Sequence, residues 1–227
     1  MADILSEMVE FNGNGSSTQG YLARPQGDGP FPGVIVIQEW WGLNDNIKDI
    51  ANRFALAGFA AFAPDLYDGK VTPEPDEAQK LMMQLDMNRA SQRLVRATEY
   101  LAQQPYISNI GATGFCMGGG LALTLACDTP LIKAVAPFYG GNPQPIERVA
   151  NIQGPVIGSY AAHDGWVTPD VVQALREALD KHGKKHDIKI YDGTEHAFFN
   201  DTRPEVHKPD ASADAWHRVV SAFRNAL

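Results

Sequence analysis

The run GFCMGGG at residues 114–120 places Cys116 where the pattern glycine-x-serine-x-glycine would place its serine. A thiol there has two readings. It is either a nucleophile lifted out of a tight turn or a small buried residue flanked by glycines. A nucleophile needs a base, and the base needs a group that orients it. The chain has six histidines, at 163, 182, 186, 196, 207 and 217. His196 lies in DGTEHAFF, a loop rich in turn residues after the last apolar run, and is the preferred base. His163 is the second choice. His182 and His186 sit in the polar stretch DKHGKKHD and read as exposed, and His207 and His217 fall in or near the C-terminal helix. The orienting acid is sought after an earlier strand, and PVIGSYAAHDGWVTPD offers Asp164 there. Asp170 is accounted for as first-turn helix charge, and Asp192 as a turn residue.

These residues need a frame that carries them to one place. Short apolar runs alternate with helical patterns along the whole chain. PGVIVIQ (32–38) is continuously apolar behind a proline, which suits a strand buried on both faces. NIKDIANRFALAG (46–58) repeats apolar residues at helical spacing and stops at Gly58. Strands are expected again at 59–66, 110–116, 134–140, 155–161 and 187–193, and helices at 88–104, 168–182 and 211–226, while 72–85 reads as loop and then helix and 117–127 as helix or turn into helix. Residues up to about Pro25 read as a strand or hairpin added at one edge. Residues 67–75 read as a surface loop near a site. Strand–helix alternation implies parallel strands joined by crossover helices. The expectation is one α/β domain over residues 1–227, a mostly parallel sheet with helices on both faces. In such a sheet ligands bind at the carboxyl ends of the strands. Residues 116, 164 and 196 each follow a different expected strand. A strand turning directly into a helix at Cys116 would also aim free N–H groups and the positive end of the helix dipole at the thiol.

Bulk properties narrow the class. The 227 residues are 44% hydrophobic and carry a net charge of −8. An acidic balance speaks against nucleic acid or an anionic membrane as partner. No apolar run is long enough to span a bilayer, and the opening MADILSEMVEF is too acidic for a secretory signal. Two cysteines, Cys116 and Cys127, make neither a disulfide framework nor a zinc site, and a cytoplasmic location is expected. The glycine run lacks the spacing of a dinucleotide-binding loop, and no Lys-Ser/Thr follows it, so a P-loop is absent.

The stretches VIVIQEWWGLN, GFAAFAPDLY, GATGFCMGGGLAL, HDGWVTP and GTEHAFF together resemble the dienelactone hydrolase family, the cysteine-using branch of the α/β-hydrolase fold. The chain order nucleophile, acid, base agrees with that fold. The resemblance implies a Cys116–Asp164–His196 triad. It gives Glu39 the role of the acidic residue that contacts the resting nucleophile, and makes the Met117 and Trp40 N–H groups the oxyanion hole. By itself, Glu39 is a carboxylate at the end of an apolar strand, which must find a partner, whether the site or backbone N–H groups. Trp40, Trp41, Tyr67, Phe138, Tyr139 and Phe198 are expected to line an apolar pocket, although aromatic residues at strand ends also serve as core. The family pattern departs at one place. Arginines are expected to grip a substrate carboxylate, one of them four residues after the histidine and another just before residue 76. The chain has Asn200 at the first position and TPEPDE at the second. Arg203, Arg89 and Arg93 are substitutes without motif support. The expected function is hydrolysis of a small-molecule ester or enol lactone without metal or organic cofactor. The alternatives are a carboxylesterase or thioesterase with other substrates and, in a different class, a redox-sensing protein with an oxidisable Cys116. The oligomeric state is open, and a monomer is compatible with the sequence.

Overall fold

The first apolar run forms strand β3 (Phe31–Ile37), whose last five residues are buried. A strand with no polar alternation fits only the interior of a sheet covered on both faces. The computed structural model, which describes residues 3–13, 15 and 17–227, places β3 near the middle of an eight-stranded sheet. The other strands are β1 (Ile4–Asn12), β2 (Ser17–Pro25), β4 (Ala60–Pro64), β5 (Ile107–Phe115), β6 (Ile132–Phe138), β7 (Val156–His163) and β8 (His186–Glu195). Their order is β1-β2-β4-β3-β5-β6-β7-β8. The β1–β2 hairpin and the β2–β4 pair are antiparallel, and the remaining pairs are parallel.

Helices α1 (Asp45–Leu56) and α6 (Pro209–Ala226) cover one face of the sheet. Helices α3 (Met87–Ala102), α4 (Met117–Asp128) and α5 (Pro169–Lys181) cover the other. Each starts for a local reason. Asn44 caps α1 by accepting from the Ile47 N–H at 3.1 Å, Asp86 caps α3, and prolines open α5 and α6. The apolar stripe of α1, including Ile47, Ile50 and Phe54, is fully buried. Helix α4 differs: it is apolar on nearly all sides and buries most of its length between β5, β6 and α3. Helix α2 (Pro75–Gln84) is the opposite, with Ala78 its single buried residue.

The alternation expected from the sequence is the alternation observed. Several bounds differ by a residue or two, and three differences bear on the architecture. Strand β5 begins at Ile107, three residues before its apolar run, because it pairs with Phe31 at the edge of β3. Strand β6 stops at Phe138, and Tyr139 leaves it with a positive φ of 37°. A short 3-10 helix, Ile146–Asn151, fills the connection from β6 to β7. Since β3, β5, β7 and β8 run parallel, the residues following them share one edge of the sheet. Glu39, Cys116, Asp164 and His196 all lie there.

Candidate active site

Cys116 is the residue on which β5 turns into α4, with φ 57° and ψ −120°. A non-glycine residue held at positive φ is strained, and it persists only where its surroundings enforce it. The neighbouring glycines enforce it here. A Cβ on Gly114 would fall 2.1 Å from the Gly118 carbonyl oxygen, and one on Gly118 would fall 2.4 Å from those of Ile37 and Gln38. The turn is therefore clamped between backbone segments of β3 and α4. Cys116 N–H donates to Phe138 O at 3.1 Å, and Gly119 N–H donates to Cys116 O at 2.9 Å. Met117 is the first residue of α4, so its N–H has no acceptor within the helix. Cys127 lies in the same helix, buried, where desolvation pushes its thiol up to about 11.

Asp164 follows β7 in a turn it closes itself. Its Oδ1 accepts from the N–H groups of Trp166 at 2.8 Å and Val167 at 2.9 Å. Its Oδ2 lies 2.7 Å from His196 Nδ1. His163, the second-choice base, is exposed beside it and has no such partner. Burial works to raise the Asp164 pKa, but the His196 contact and the two backbone N–H groups outweigh it and hold the carboxyl below its ordinary value. Burial likewise works to lower His196, yet the Asp164 bond and the interaction with Cys116 push it up to about 10. His196 Nε2 is buried and makes no hydrogen bond, which leaves it to the thiol and to whatever enters beside it.

Glu39 is 2% exposed. Its carboxylate accepts from Asn200 Nδ2 at 2.9 Å and from the Tyr139 hydroxyl at 3.4 Å. Burial raises its pKa, against the opposing pull of Asn200, His196, Arg203 and Tyr139. Its hydrogen bonds go to Asn200 and Tyr139, and it lines the same cavity as Cys116. Asn200 does not take its expected place in the pocket lining. It is 2% exposed and points its amide at Glu39, while its Oδ1 accepts from the N–H and hydroxyl of Thr202. It is a brace for the buried acid, not a wall of the substrate pocket.

Two cavities meet at Cys116, Trp166 and His196. One, of about 320 Å³, is lined by Glu39, Trp40, Trp41, Arg203 and Val206 among others. The second, of about 660 Å³, runs past Met117, Leu121 and Tyr139. Trp40 and Trp41 thus take the expected place, with rings 5.0 Å apart. Phe138 and Phe198 do not: both are core, packed among Phe115, Phe199, Tyr139 and Tyr191. Tyr67 lines a separate polar cavity, of about 220 Å³, and touches the site through its hydroxyl, 3.6 Å from Met117 Sδ. Trp166 was not among the expected residues. It is 63% exposed, lies edge-on to Trp40 at 5.8 Å, and covers His196 at 6.2 Å. Its signal was an aromatic two residues after an acid in a turn, within HDGWVTP.

The family model of the dienelactone hydrolase family matches residues 18–227. The chain belongs to this family. It is 42% identical to Protein usf of Aquifex pyrophilus, over 98% of this chain and 100% of that protein. It is 36% identical to an Aquifex aeolicus protein provisionally named carboxymethylenebutenolidase, over 98% of this chain and 100% of the relative. A crystal structure from Klebsiella pneumoniae, titled as a provisional dienelactone hydrolase, superposes with a TM-score of 0.90 at 28% identity, covering 98% of this chain and 99% of the other. The dienelactone hydrolase family carries the α/β-hydrolase fold, and its members are hydrolases, as this chain is. Among the described residues no helix is long and apolar enough to cross a membrane.

Proposed function

We propose that this chain hydrolyses a carboxylic ester or enol lactone through a thioester on Cys116. The carrying observation is the hydrogen bond of 2.7 Å that His196 Nδ1 donates to Asp164 Oδ2, with Nε2 left unpartnered toward the Cys116 turn. His196 Nε2 holds the proton given up by the thiol, and Sγ attacks the carbonyl carbon. The carbonyl oxygen takes the negative charge and is held by the N–H groups of Met117 and Trp40. As the tetrahedral intermediate collapses, the carbon–oxygen ester bond breaks and His196 gives its proton to the departing alkoxide. Water, deprotonated by His196, then attacks the thioester, and the proton returns to Sγ as the acid leaves. Asp164 holds the imidazole in one orientation and stabilises its charged form throughout. A thiolate leaves more easily than an alkoxide, so the pair suits activated esters and enol lactones.

The substrate's charge is part of the proposal. Arg203 is the one arginine on the smaller cavity among the described residues, and its Nε donates to Glu205 at 2.8 Å. Glu39 and Glu195 line the same cavity. Asn200, braced against Glu39, offers the substrate no cation. A buried carboxylate without a cation is costly. Neutral esters and lactones are therefore proposed as substrates in preference to carboxylate-bearing ones. The test is kcat/KM for a matched neutral and acidic lactone at fixed pH and salt. A strong preference for the acidic lactone that vanishes in Arg203→Ala would give Arg203 the carboxylate and overturn the neutral assignment.

A further inference from the structure

The larger cavity has a shape that the hydrolytic steps alone do not require. Met117, Gly120, Leu121, Thr124 and Asp128 all line it. These residues recur at helical spacing, so the cavity follows one face of α4 from its first residue to its last. At the α-helical rise, that run is about 17 Å long. The facing wall comes from the end of α2 and the start of α3, through Met82, Met87 and Ser91. Helix α2 is the most weakly buried of the layer, and methionines fill such walls adaptably.

Its charges are already matched. Arg148 and Asp128 pair at the end away from Cys116, and Ser91 Oγ donates to the same carboxylate at 2.5 Å. Apart from His196, Arg148 is the only cation lining the cavity among the described residues. An anionic group entering here would compete with Asp128. An uncharged chain would displace water from Met82, Met87 and Met117 without breaking any ion pair, past the neutral polar groups of Asn88, Thr124, Asn142 and Gln144.

We propose that this groove along α4 holds one extended, uncharged, apolar arm of the ester, and that it sets a preference for long-chain over short-chain substrates. The inference rests on the ester-hydrolase reading above and specifies its substrate class. The geometry also supplies a plug. Gly141 lines the groove, and a Cβ built on it would meet nothing within 4 Å. Its backbone is outside the left-handed region, so a larger side chain can enter the space without strain.

The experiment measures kcat/KM for p-nitrophenyl acetate through octanoate, and for ethyl through octyl acetate, in the wild type, Gly141→Phe and Met87→Ser. Met87 is half exposed at the start of α3, so its replacement does not threaten folding. A buried methylene contributes up to about fourfold in binding. In one of the two series the wild type is expected to favour the longest chain over the shortest by at least about tenfold. Gly141→Phe should cut that preference at least about fivefold while leaving the shortest ester within about twofold. Met87→Ser should cut it several-fold in the same sense. If both series are flat while acetate turns over normally, this inference is wrong and the hydrolase reading stands. The same holds if the variants lower long and short esters equally. If no ester, acetate included, is turned over, the hydrolase reading itself fails and this inference falls with it.

Discussion

Replacing Asn200 by aspartate changes one atom in a buried hydrogen bond and turns a donor into an acid. The Nδ2 that now lies 2.9 Å from Glu39 Oε2 would become a carboxylate oxygen, while the Oδ1 that accepts from Thr202 is kept. Two full charges at that separation repel by about 6 kcal/mol at an effective dielectric of about 20, so the pair keeps one proton. Holding a proton at pH 7 on a group that releases it near pH 4.5 when unfolded costs about 3 kcal/mol. In a chain of this size that lowers Tm by about 6–12 °C. The native state then binds one proton more than the unfolded state above that range. Stability therefore falls as pH rises, by about 1.4 kcal/mol per unit, and the deficit nearly closes toward pH 4.5. Thermal or urea unfolding of wild type, Asn200→Asp, Glu39→Gln and the double variant from pH 5 to 8 reads this directly. Adding Glu39→Gln to Asn200→Asp should restore most of the loss at pH 7. A deficit that is the same at pH 5 and pH 8, or one that Glu39→Gln leaves untouched, would mean that Asn200 braces something other than Glu39.

Other outcomes follow from the same geometry. Gly118→Ala forces a Cβ to 2.4 Å from two carbonyl oxygens and should cost at least about 2 kcal/mol and most of the activity, whereas Gly141→Ala, in open space, should cost neither. Unfolding and ester hydrolysis of the two variants give the comparison. His196 is raised from 6.5 to about 10, so its pairing stabilises the fold fully below pH 6.5 and is lost as pH rises through about 10. The stability gap between wild type and His196→Gln should shrink over that interval, and a gap that widens would reverse the assignment. Burial raises the pKa of Glu39, and the charge of His196 opposes that rise, so the two groups are coupled within the site. Glu39→Gln should therefore speed alkylation of Cys116 by iodoacetamide, and an unchanged rate would remove Glu39 as a control on the thiol.

The fold was legible because its signals are local. Continuous apolar runs such as residues 33–37 admit few placements, and the stripe of α1 fixes its buried face. The positions of Cys116, Asp164 and His196 were legible because each is tied to the end of a strand, and parallel strands bring their ends together. The pocket walls were less so, since the direction of an aromatic side chain at a strand end depends on distant partners. Phe138 is taken up by Phe115 and Phe199, and Phe198 by Tyr139 and Tyr191, so neither reaches the cavity. Asn200 stands at the right offset from His196 for a substrate contact. The turn between them, with Ala197 at φ 67°, leaves its amide against Glu39, a neighbour 161 residues away that no spacing rule connects to it. The groove along α4 was hidden for a related reason. An all-round apolar helix reads as buried, and only its neighbours decide which face is left open.

The central claim is that Cys116 carries the acyl group, and mass spectrometry of the trapped enzyme tests it most directly. The wild-type enzyme is mixed with excess p-nitrophenyl acetate and quenched in acid during the first turnovers, while the acyl-enzyme is still present. The account predicts one added acyl mass per chain, mapped to the peptide containing Cys116. It also predicts that the adduct persists when Cys127 is replaced by alanine and is absent when Cys116 is, with hydrolysis by the Cys116→Ala enzyme reduced by about 10³ or more. An adduct on any other residue, or undiminished turnover by the Cys116→Ala enzyme, would contradict it.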